Sequence, residues 1–257
     1  MSAGVYFYAI CRGLDPSVLT GRQGIADAPV RLVEQDGLQA VVSEVDLEEF
    51  GEEGLRRNLE DLTWLETVAL AHDRVTRLVA EVAPTAPLRL ATVFRSEDSL
   101  RQQLSGWRGS AERALDRIEG RSEWSVKAYA DSQARVAAGD EQAGEPAGMG
   151  AGKAYLLKRR AATQQRERAA QEDAAAADEI HSALQDGAVA GRRLAPQDRR
   201  LTGHTGEMVL NGAYLVDHAR SADFKDLVDR VAAGHSGLRL ELGGPWPPYS
   251  FASLDDQ

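Results

Sequence analysis

The sequence predicts an α+β protein of two domains that are joined by a flexible linker and a long α-helix. Three observations carry this prediction. Short β-rich runs alternate with amphipathic helical stretches in residues 1–131, residues 132–152 are rich in Gly and Ala, and residues 153–186 contain neither Gly nor Pro. The length of 257 residues also fits two domains, because one domain takes roughly 100–150 residues.

Residues 1–131 form the first domain and begin with a strand over residues 4–10, a run of aromatic and apolar side chains. A turn-rich stretch follows this strand. Residues 30–34 and 38–43 then predict a hairpin, because the Asp36-Gly37 pair between them tolerates positive φ.

An acidic run comes next at residues 46–61, which hold seven carboxylates against two arginines. Such a run is typical of a solvated helix face, because carboxylates at this spacing gain little from one another without a bound cation. A docking surface is the alternative.

The following helix carries one apolar stripe, whose members recur at alternating three- and four-residue spacing and so share one face. They are Leu65, Val68, His72, Val75, Val79 and Val82. Pro84 and Pro87 end this helix. A histidine within such a stripe is typically a core or interface residue, so we expect that role for His72; a ligand or a base is the alternative.

Residues 87–94 predict a further strand, and Ser96 then starts a helix whose early carboxylates complement its dipole. The apolar stripe of this helix consists of Leu100, Leu104, Trp107, Ala111, Leu115 and Ile118. Gly120 ends the helix, and residues 124–129 predict the closing strand of the domain. We expect two or three helices to cover these strands from one side.

The composition changes after the first domain. Residues 132–152 consist largely of small residues and predict a flexible linker, whereas residues 153–186 predict one helix of about 45–50 Å. The apolar stripe of this helix is thin, so it needs a close-packed partner. A basic cluster on it indicates a solvated face or an anion contact. Its members are Lys153, Lys158, Arg159, Arg160, Arg166 and Arg168.

Residues 153–257 form the second domain, in which strands over residues 208–216 and 238–242 flank a short helix. A basic loop precedes them, with Arg192, Arg193, Arg199 and Arg200. The segment Trp246-Pro247-Pro248-Tyr249 predicts a structural clasp against the first domain or the last strand, because prolines stiffen a terminus whose aromatics can pack. A peptide-like contact is the alternative.

The composition also excludes several classes of function. The formal net charge of −10 opposes binding to nucleic acid or to an anionic membrane, and the single cysteine cannot form an internal disulfide. No segment has the length and hydropathy of a signal peptide or a membrane-spanning helix. We therefore expect a cytoplasmic protein that contacts neither nucleic acid nor a membrane.

No pattern indicates catalysis, a metal or a cofactor. Residues 148–153 superficially resemble a phosphate loop, but Ala147 and Ala154 stand where that pattern needs Gly and Ser or Thr. No two histidines have the spacing of a metalloprotease, and no Gly-x-Ser-x-Gly elbow occurs. Tyr6 and Tyr8 in the first strand leave an RNA-stacking platform as an alternative, although no RNP-type run accompanies them.

Three regions go beyond generic α+β patterning. The first joins Trp64–Glu66 and Ala71–Val75 to Pro87–Phe94, the second is Gly152–Arg160, and the third joins Leu210–Val216 to Gly243–Phe251. In order and spacing these regions resemble the gas vesicle protein family of GvpL and GvpF over nearly the whole chain. Residues 87–94 are similar to that family's PLRFGTVF strand, with Leu90 and Ala91 in place of Phe and Gly.

The resemblance singles out interaction candidates within these motifs. They are Trp64, His72, Pro87, Arg89, Phe94, Tyr155, Asn211, Tyr214, Trp246, Pro247, Pro248 and Tyr249. The resemblance brings no catalytic residue, cofactor or metal ligand with it.

The resemblance further implies a two-domain α+β fold with ferredoxin-like features and a helical region between or beside the domains. It also implies a non-enzymatic accessory or minor structural role in gas vesicles, which are hollow protein-walled organelles of the cytoplasm. It implies binding to the small, hydrophobic major shell protein and to other gas vesicle proteins. The separated acidic run and basic cluster add a charge polarity suited to docking and self-association. A non-enzymatic scaffold or an RNA-binding α+β module is the alternative.

Overall fold

The computed structural model describes residues 3–130, 151–197, 206–252 and 254, without the side chains of residues 151–156 and 158. The predicted linker, residues 132–152, therefore lies almost wholly outside the described residues, as do Arg199 and Arg200. Within them the chain is a mixture of helices and two sheets, so the α+β class is confirmed.

The elements up to residue 118 begin with a long strand and a hairpin, and later include two long helices that are separated by two short strands. They are β1 (Ala3–Cys11), β2 (Arg31–Gln35), β3 (Leu38–Asp46), α1 (Leu47–Phe50), α2 (Glu52–Asn58), α3 (Leu62–Ala80), β4 (Thr85–Pro87), β5 (Val93–Phe94) and α4 (Glu97–Ile118). Single 3-10 turns at Pro16–Leu19 and Ile25–Asp27 occupy the connection between β1 and β2.

The later elements follow the order strand, helix, strand, strand, helix, strand. They are β6 (Arg121–Ala130), α5 (Ala151–Asp186), β7 (Ala190–Arg193), β8 (Met208–Asp217), α6 (Ser221–Gly234) and β9 (Leu238–Trp246). The long helix predicted from its lack of Gly and Pro is confirmed by α5. The ferredoxin-like designation stays a prediction.

Contacts along the chain divide it into two compact units. Unit 1 consists of Met1–Glu123 and Pro245–Gln257, and unit 2 consists of Trp124–Gly244. Domain boundaries at residues 131 and 152 stay a prediction beside this division.

The first sheet has the strand order β2-β3-β1-β4, with β5 paired to β1 beside β4, and its described pairings are antiparallel. The predicted hairpin turn is confirmed, because Asp36 and Gly37 both have positive φ, 52° and 82°. The core on one face of β1 contains Tyr6 and Tyr8 together with the buried stripe of α3. Helix α4 contacts all five strands.

Three expectations for this region are wrong. Residues 87–94 do not form one strand, because Pro87 is the last residue of β4, Val93–Phe94 form β5, and Ala91 between them has φ 62°. The sheet is not covered from one side only, since β1 is buried at eight successive positions and so on both faces. Val82 does not extend the stripe of α3, because the helix ends at Ala80 and leaves Val82 exposed.

The second sheet has the strand order β7-β8-β6-β9. Strand β6, which we expected to close the first domain, therefore belongs to this sheet. Arg192 and Arg193 lie in β7 and not in a loop. The core on one face of the sheet joins α5 to α6, with Ala177, Ile180 and Leu184 facing Phe224 and Val228.

Candidate interaction surface on helix α3 and the C-terminal segment

The predicted interaction residues fall into two groups. Trp64, His72, Pro87, Arg89, Phe94, Trp246, Pro247, Pro248 and Tyr249 lie in unit 1, whereas Asn211 and Tyr214 lie in unit 2. Tyr155 belongs to α5, and its side chain lies outside the described residues.

His72 is a buried residue of the first core. Its Nδ1 lies 3.0 Å from the hydroxyl oxygen of Tyr6, which accepts a hydrogen bond from the Ala91 N–H at 2.9 Å. The tautomer of the ring decides whether the Tyr6 hydroxyl or Nδ1 is the donor of this hydrogen bond. Burial lowers the pKa of His72 to about 4, so the ring is neutral near pH 7. The interpretation of His72 as a core residue is confirmed.

The aromatic side chains of β1 are also core residues. The Tyr8 hydroxyl accepts a hydrogen bond from the Ile25 N–H at 2.8 Å and lies 2.7 Å from Ser43 Oγ. Tyr6 and Tyr8 have no solvent-exposed surface. Stacking on RNA bases needs exposed rings, so the RNA platform suggested by these two tyrosines is wrong.

Trp64, Pro87 and Phe94 also hold unit 1 together. The Trp64 indole donates a hydrogen bond of 2.6 Å to Glu49 Oε1, which ties α3 to the acidic run. Pro87 lies opposite Ala9 in the pairing of β1 with β4, and Phe94 packs against Phe7 with ring centroids 6.0 Å apart. Arg89 is exposed in the turn that joins these short strands.

The C-terminal segment packs on α3. The Arg77 guanidinium lies 4.1 Å from the centroid of the Trp246 ring, a cation–π contact, and the Tyr249 ring lies 6.3 Å from that of His72. Pro247 and Pro248 are buried. These contacts confirm the clasp interpretation of this segment.

A buried carboxylate fixes the far end of the same segment. Glu123 accepts two hydrogen bonds of 2.7 Å, one from the Ser250 N–H and one from the Ser250 hydroxyl. Such paired acceptance by an ionised group gives both strength and a defined geometry. The clasp is therefore held at Trp246 by Arg77 and at Ser250 by Glu123.

The side of α3 that points away from the core carries two exposed leucines. Leu62 is 73% exposed and Leu70 is 64% exposed. We call the residues on this side, Leu62, Glu66, Leu70, Asp73 and Arg77, the outer face of α3, because their spacing places them within one side of the helix. Asp73 and Arg77 form an ion pair of 2.5 Å there.

The outer face of α3 was missed in the sequence, although a signal was present. Leu62 and Leu70 are apolar residues that lie off the apolar stripe of their own helix, opposite Val68 and Val75. Trp246 and Tyr249, which are partly exposed, continue this surface beyond Arg77. Two leucines and two aromatic rings thus border one surface of unit 1.

The predicted residues of unit 2 are structural. The Asn211 side chain donates a hydrogen bond of 2.7 Å to the Ala195 carbonyl. The hydroxyl of Tyr214, which is fully buried, lies 2.9 Å from Nδ1 of His181 on α5. Burial, followed by the charge of Arg193, lowers the pKa of His181. This pair repeats the tyrosine–histidine contact of unit 1.

Helix α5 divides into an exposed and a buried half. Its basic residues Arg159, Arg160, Arg166 and Arg168 are exposed, which favours the solvated-face interpretation, and Leu157 is 46% exposed. Among the side chains of α5 that the structure describes, buried ones occur from Asp173 onwards.

The described residues offer little for a chemical reaction. They contain no cluster of His, Cys, Asp or Glu that could hold a metal ion, and Cys11 is buried with its pKa raised to about 12. A cavity of about 400 Å³ beside β2 is lined by Arg22, Arg31 and apolar or uncharged residues, with no carboxylate or histidine. None of the helices in the described ranges has the length and apolar character needed to cross a bilayer.

Comparison with known proteins agrees with the sequence resemblance. Residues 4–253 match the family described as gas vesicle synthesis protein GvpL/GvpF. Gas vesicle protein L of Streptomyces sp. (strain CB03234) is 42% identical over 255 residues, covering 98% of this chain and 94% of its own. Gas vesicle protein F of the same strain is 29% identical over 260 residues, covering 96% and 98%.

Solved structures show the same fold. The crystal structure of GvpF from Anabaena sp. PCC7120 has a TM-score of 0.71 at 20% identity, over 99% of this chain and 98% of its own. GvpF from Microcystis aeruginosa has a TM-score of 0.68 at 18% identity, over 97% and 99%. The chain therefore belongs to the GvpL/GvpF family, a family of gas vesicle assembly proteins and not a known enzyme family, and its role lies in gas vesicle assembly.

Proposed function

We propose that the protein assists gas vesicle assembly by binding the hydrophobic major shell protein in the cytoplasm through the outer face of α3. The exposure of Leu62 and Leu70 on one side of a helix carries this proposal. In this role the protein works by binding alone, without a cofactor, and meets other gas vesicle proteins at the growing vesicle.

The physical reason is the chemistry of the shell subunit. A subunit that exposes apolar surface before it polymerises aggregates unless that surface is covered. Leu62 and Leu70 are about 12 Å apart along the helix, a spacing that suits two anchors in one apolar groove or helix face. Glu66, Asp73 and Arg77 between and beyond them supply the polar surroundings that keep the free protein in solution.

The opposite side of α3 makes the surface rigid. Val68, Val75 and Val79 are buried in the first core, and Asp61 caps the helix by accepting hydrogen bonds from the Thr63 and Trp64 N–H groups. The clasp holds the C-terminal half of the helix. A partner that contacts Leu62 and Leu70 therefore meets a surface that loses little conformational entropy on binding.

The exposed half of α5 is a second candidate contact for the shell protein. Leu157 is its exposed apolar residue, and no described core residue lies between it and Asp173. Deleting residues 153–186 would not test this role, because the deletion also removes Ala177, Ile180 and Leu184 from the second core. Substitution of Leu157 tests it without touching that core.

The experiment is co-purification of the full chain with a major gas vesicle shell protein. We expect the L62Q/L70Q variant to lose most of the shell protein, because Gln keeps the helix propensity of Leu but removes its apolar contact. The L157Q variant tests the second candidate, and we expect it to retain the shell protein. Full retention by L62Q/L70Q contradicts the role of α3, and loss in L157Q alone moves the contact to α5.

A further inference from the structure

Strand β9 lies at one edge of the second sheet. The order β7-β8-β6-β9 places a strand on one side of it, and none of the described strands pairs with the other side. An edge strand presents N–H and C=O groups that another strand can pair with. Gly244, with φ 127°, and Pro245 limit regular pairing to the part of β9 before them.

The sequence of that part is complementary to itself. It reads Gly237-Leu238-Arg239-Leu240-Glu241-Leu242-Gly243. When two copies run antiparallel about Leu240, Arg239 of one copy lies opposite Glu241 of the other, and Leu238 lies opposite Leu242. Parallel pairing in register would place Arg239 opposite Arg239 and Glu241 opposite Glu241, which is unfavourable.

The side chains of β9 suit such a pairing. Arg239 and Glu241 form an ion pair of 2.7 Å within one strand, so two copies in antiparallel register bring four charges of alternating sign onto one face. On the other face Leu238 and Leu240 pack against the second core, whereas Leu242 is 36% exposed. A second copy would place its Leu238 beside this exposed Leu242.

We propose that β9 pairs antiparallel with β9 of a second copy, centred on Leu240, and thereby joins two four-stranded sheets into one across a two-fold axis. The interface is isologous, so it closes at the dimer and cannot extend into a fibre. It uses residues of unit 2 and none of the residues of the outer face of α3, so it stands whether or not α3 binds the shell protein.

The dimer is weak, because the pairing covers only about seven residues of each strand and interfaces of that size belong to transient complexes. We expect the wild-type full chain to show a reversible, concentration-dependent monomer–dimer equilibrium in sedimentation velocity. A wild-type chain that stays monomeric up to the highest soluble concentration overturns the proposal.

Charge reversal tests the register directly. In R239E both positions are acidic, and in E241R both are basic, so each single variant brings like charges together in its own homodimer. We expect each to self-associate about tenfold more weakly than the wild type. An equimolar mixture of R239E and E241R should dimerise again, because every cross-strand pair is then of opposite charge.

The double variant R239E/E241R is the matched control. It reverses the order of the charges, keeps the ion pair within the strand and keeps every cross-strand pair opposite in sign, so it should dimerise like the wild type. Thermal unfolding of each variant verifies that it is folded, which we expect because this surface ion pair contributes little to stability. Single variants that dimerise like the wild type, or a mixture that does not regain dimers, overturn the proposed register.

Discussion

His72 is the residue through which pH acts on the first core. Its Nδ1 shares a hydrogen bond with the Tyr6 hydroxyl, and its ring lies against those of Tyr8 and Tyr249. Burial is the main cause that moves its pKa from 6.5 to about 4, while the charge of Asp73 opposes the shift. The folded state therefore holds this histidine in its neutral form.

The sign of the pH dependence follows from this shift. Between pH 6.5 and about 4 the unfolded chain binds a proton at position 72 and the folded chain does not, so stability falls as the pH falls. The contribution of His72 amounts to about 2 kcal/mol between pH 7 and pH 5. We expect H72Q, although less stable at pH 7, to lose less stability over this interval than the wild type in urea unfolding.

His218 offers the control for that measurement, because it is exposed. H218Q should follow the wild-type pH profile. An H72Q variant with the full wild-type dependence would assign the pH sensitivity to other groups.

Ala91 carries backbone strain that a glycine would remove. Its φ of 62° lies in the left-handed region, where a Cβ atom costs about 1–2 kcal/mol, and its N–H is held by the Tyr6 hydroxyl. We expect A91G to raise the free energy of unfolding by about 0.5–1 kcal/mol, since the larger entropy of the unfolded glycine offsets part of the gain.

The same substitution in a helix should act in the opposite direction. Ala161 is exposed within α5, so A161G should lower the free energy of unfolding by at most about 1 kcal/mol. A91G that destabilises the protein as A161G does would show that the left-handed turn is not strained.

At the scale of elements, the C-terminal end of α5 packs into the second core, whereas the described side chains near its N-terminal end are exposed. Ile180 is fully buried between α6 and the second sheet, whereas Leu157 is exposed near the other end. I180A should lower the free energy of unfolding by about 2–4 kcal/mol, because it leaves a cavity in a packed core. The matched variant L157A should stay within about 0.5 kcal/mol of the wild type. Equal losses in both would show that the first half of α5 is packed.

Helices were predicted better than strands because their signal is local. The stripes of α3 and α4, the Ser96 cap and the absence of Gly and Pro from α5 can each be recognised within one segment. The break between β4 and β5 could not, since an alanine at position 91 does not indicate positive φ. Nor does the sequence of β6 state which sheet it joins, because that choice depends on partners such as β8, far along the chain.

The interaction surface was only partly predictable for the same reason. Trp246 and Tyr249 were recognised as packing residues, but their partners Arg77 and His72 are about 170 residues earlier, and only the folded chain brings them together. Leu62 and Leu70 do not stand out in the sequence, because the helical periodicity of α3 identifies the apolar residues on its buried face and these two leucines lie on the opposite face. Exposed leucines become informative once the buried face of α3 is known.

At the scale of the whole molecule, the two proposals can be tested together, because the outer face of α3 belongs to unit 1 and the edge of β9 belongs to unit 2. A β9 dimer would present two copies of the surface proposed for the shell protein. When a dimer is bound through both of its sites, one site can rebind before the other releases, which slows dissociation of the dimer without any new contact.

On a surface densely coated with shell protein, we expect the wild type to dissociate at least about tenfold more slowly than R239E. R239E/E241R should match the wild type, and the difference should vanish on a sparse coat, where only one site can bind. Equal dissociation rates on the dense coat would show that dimerisation and shell binding are not coupled, whereas failure of every variant to bind would count against the outer face of α3 and leave the dimer untouched.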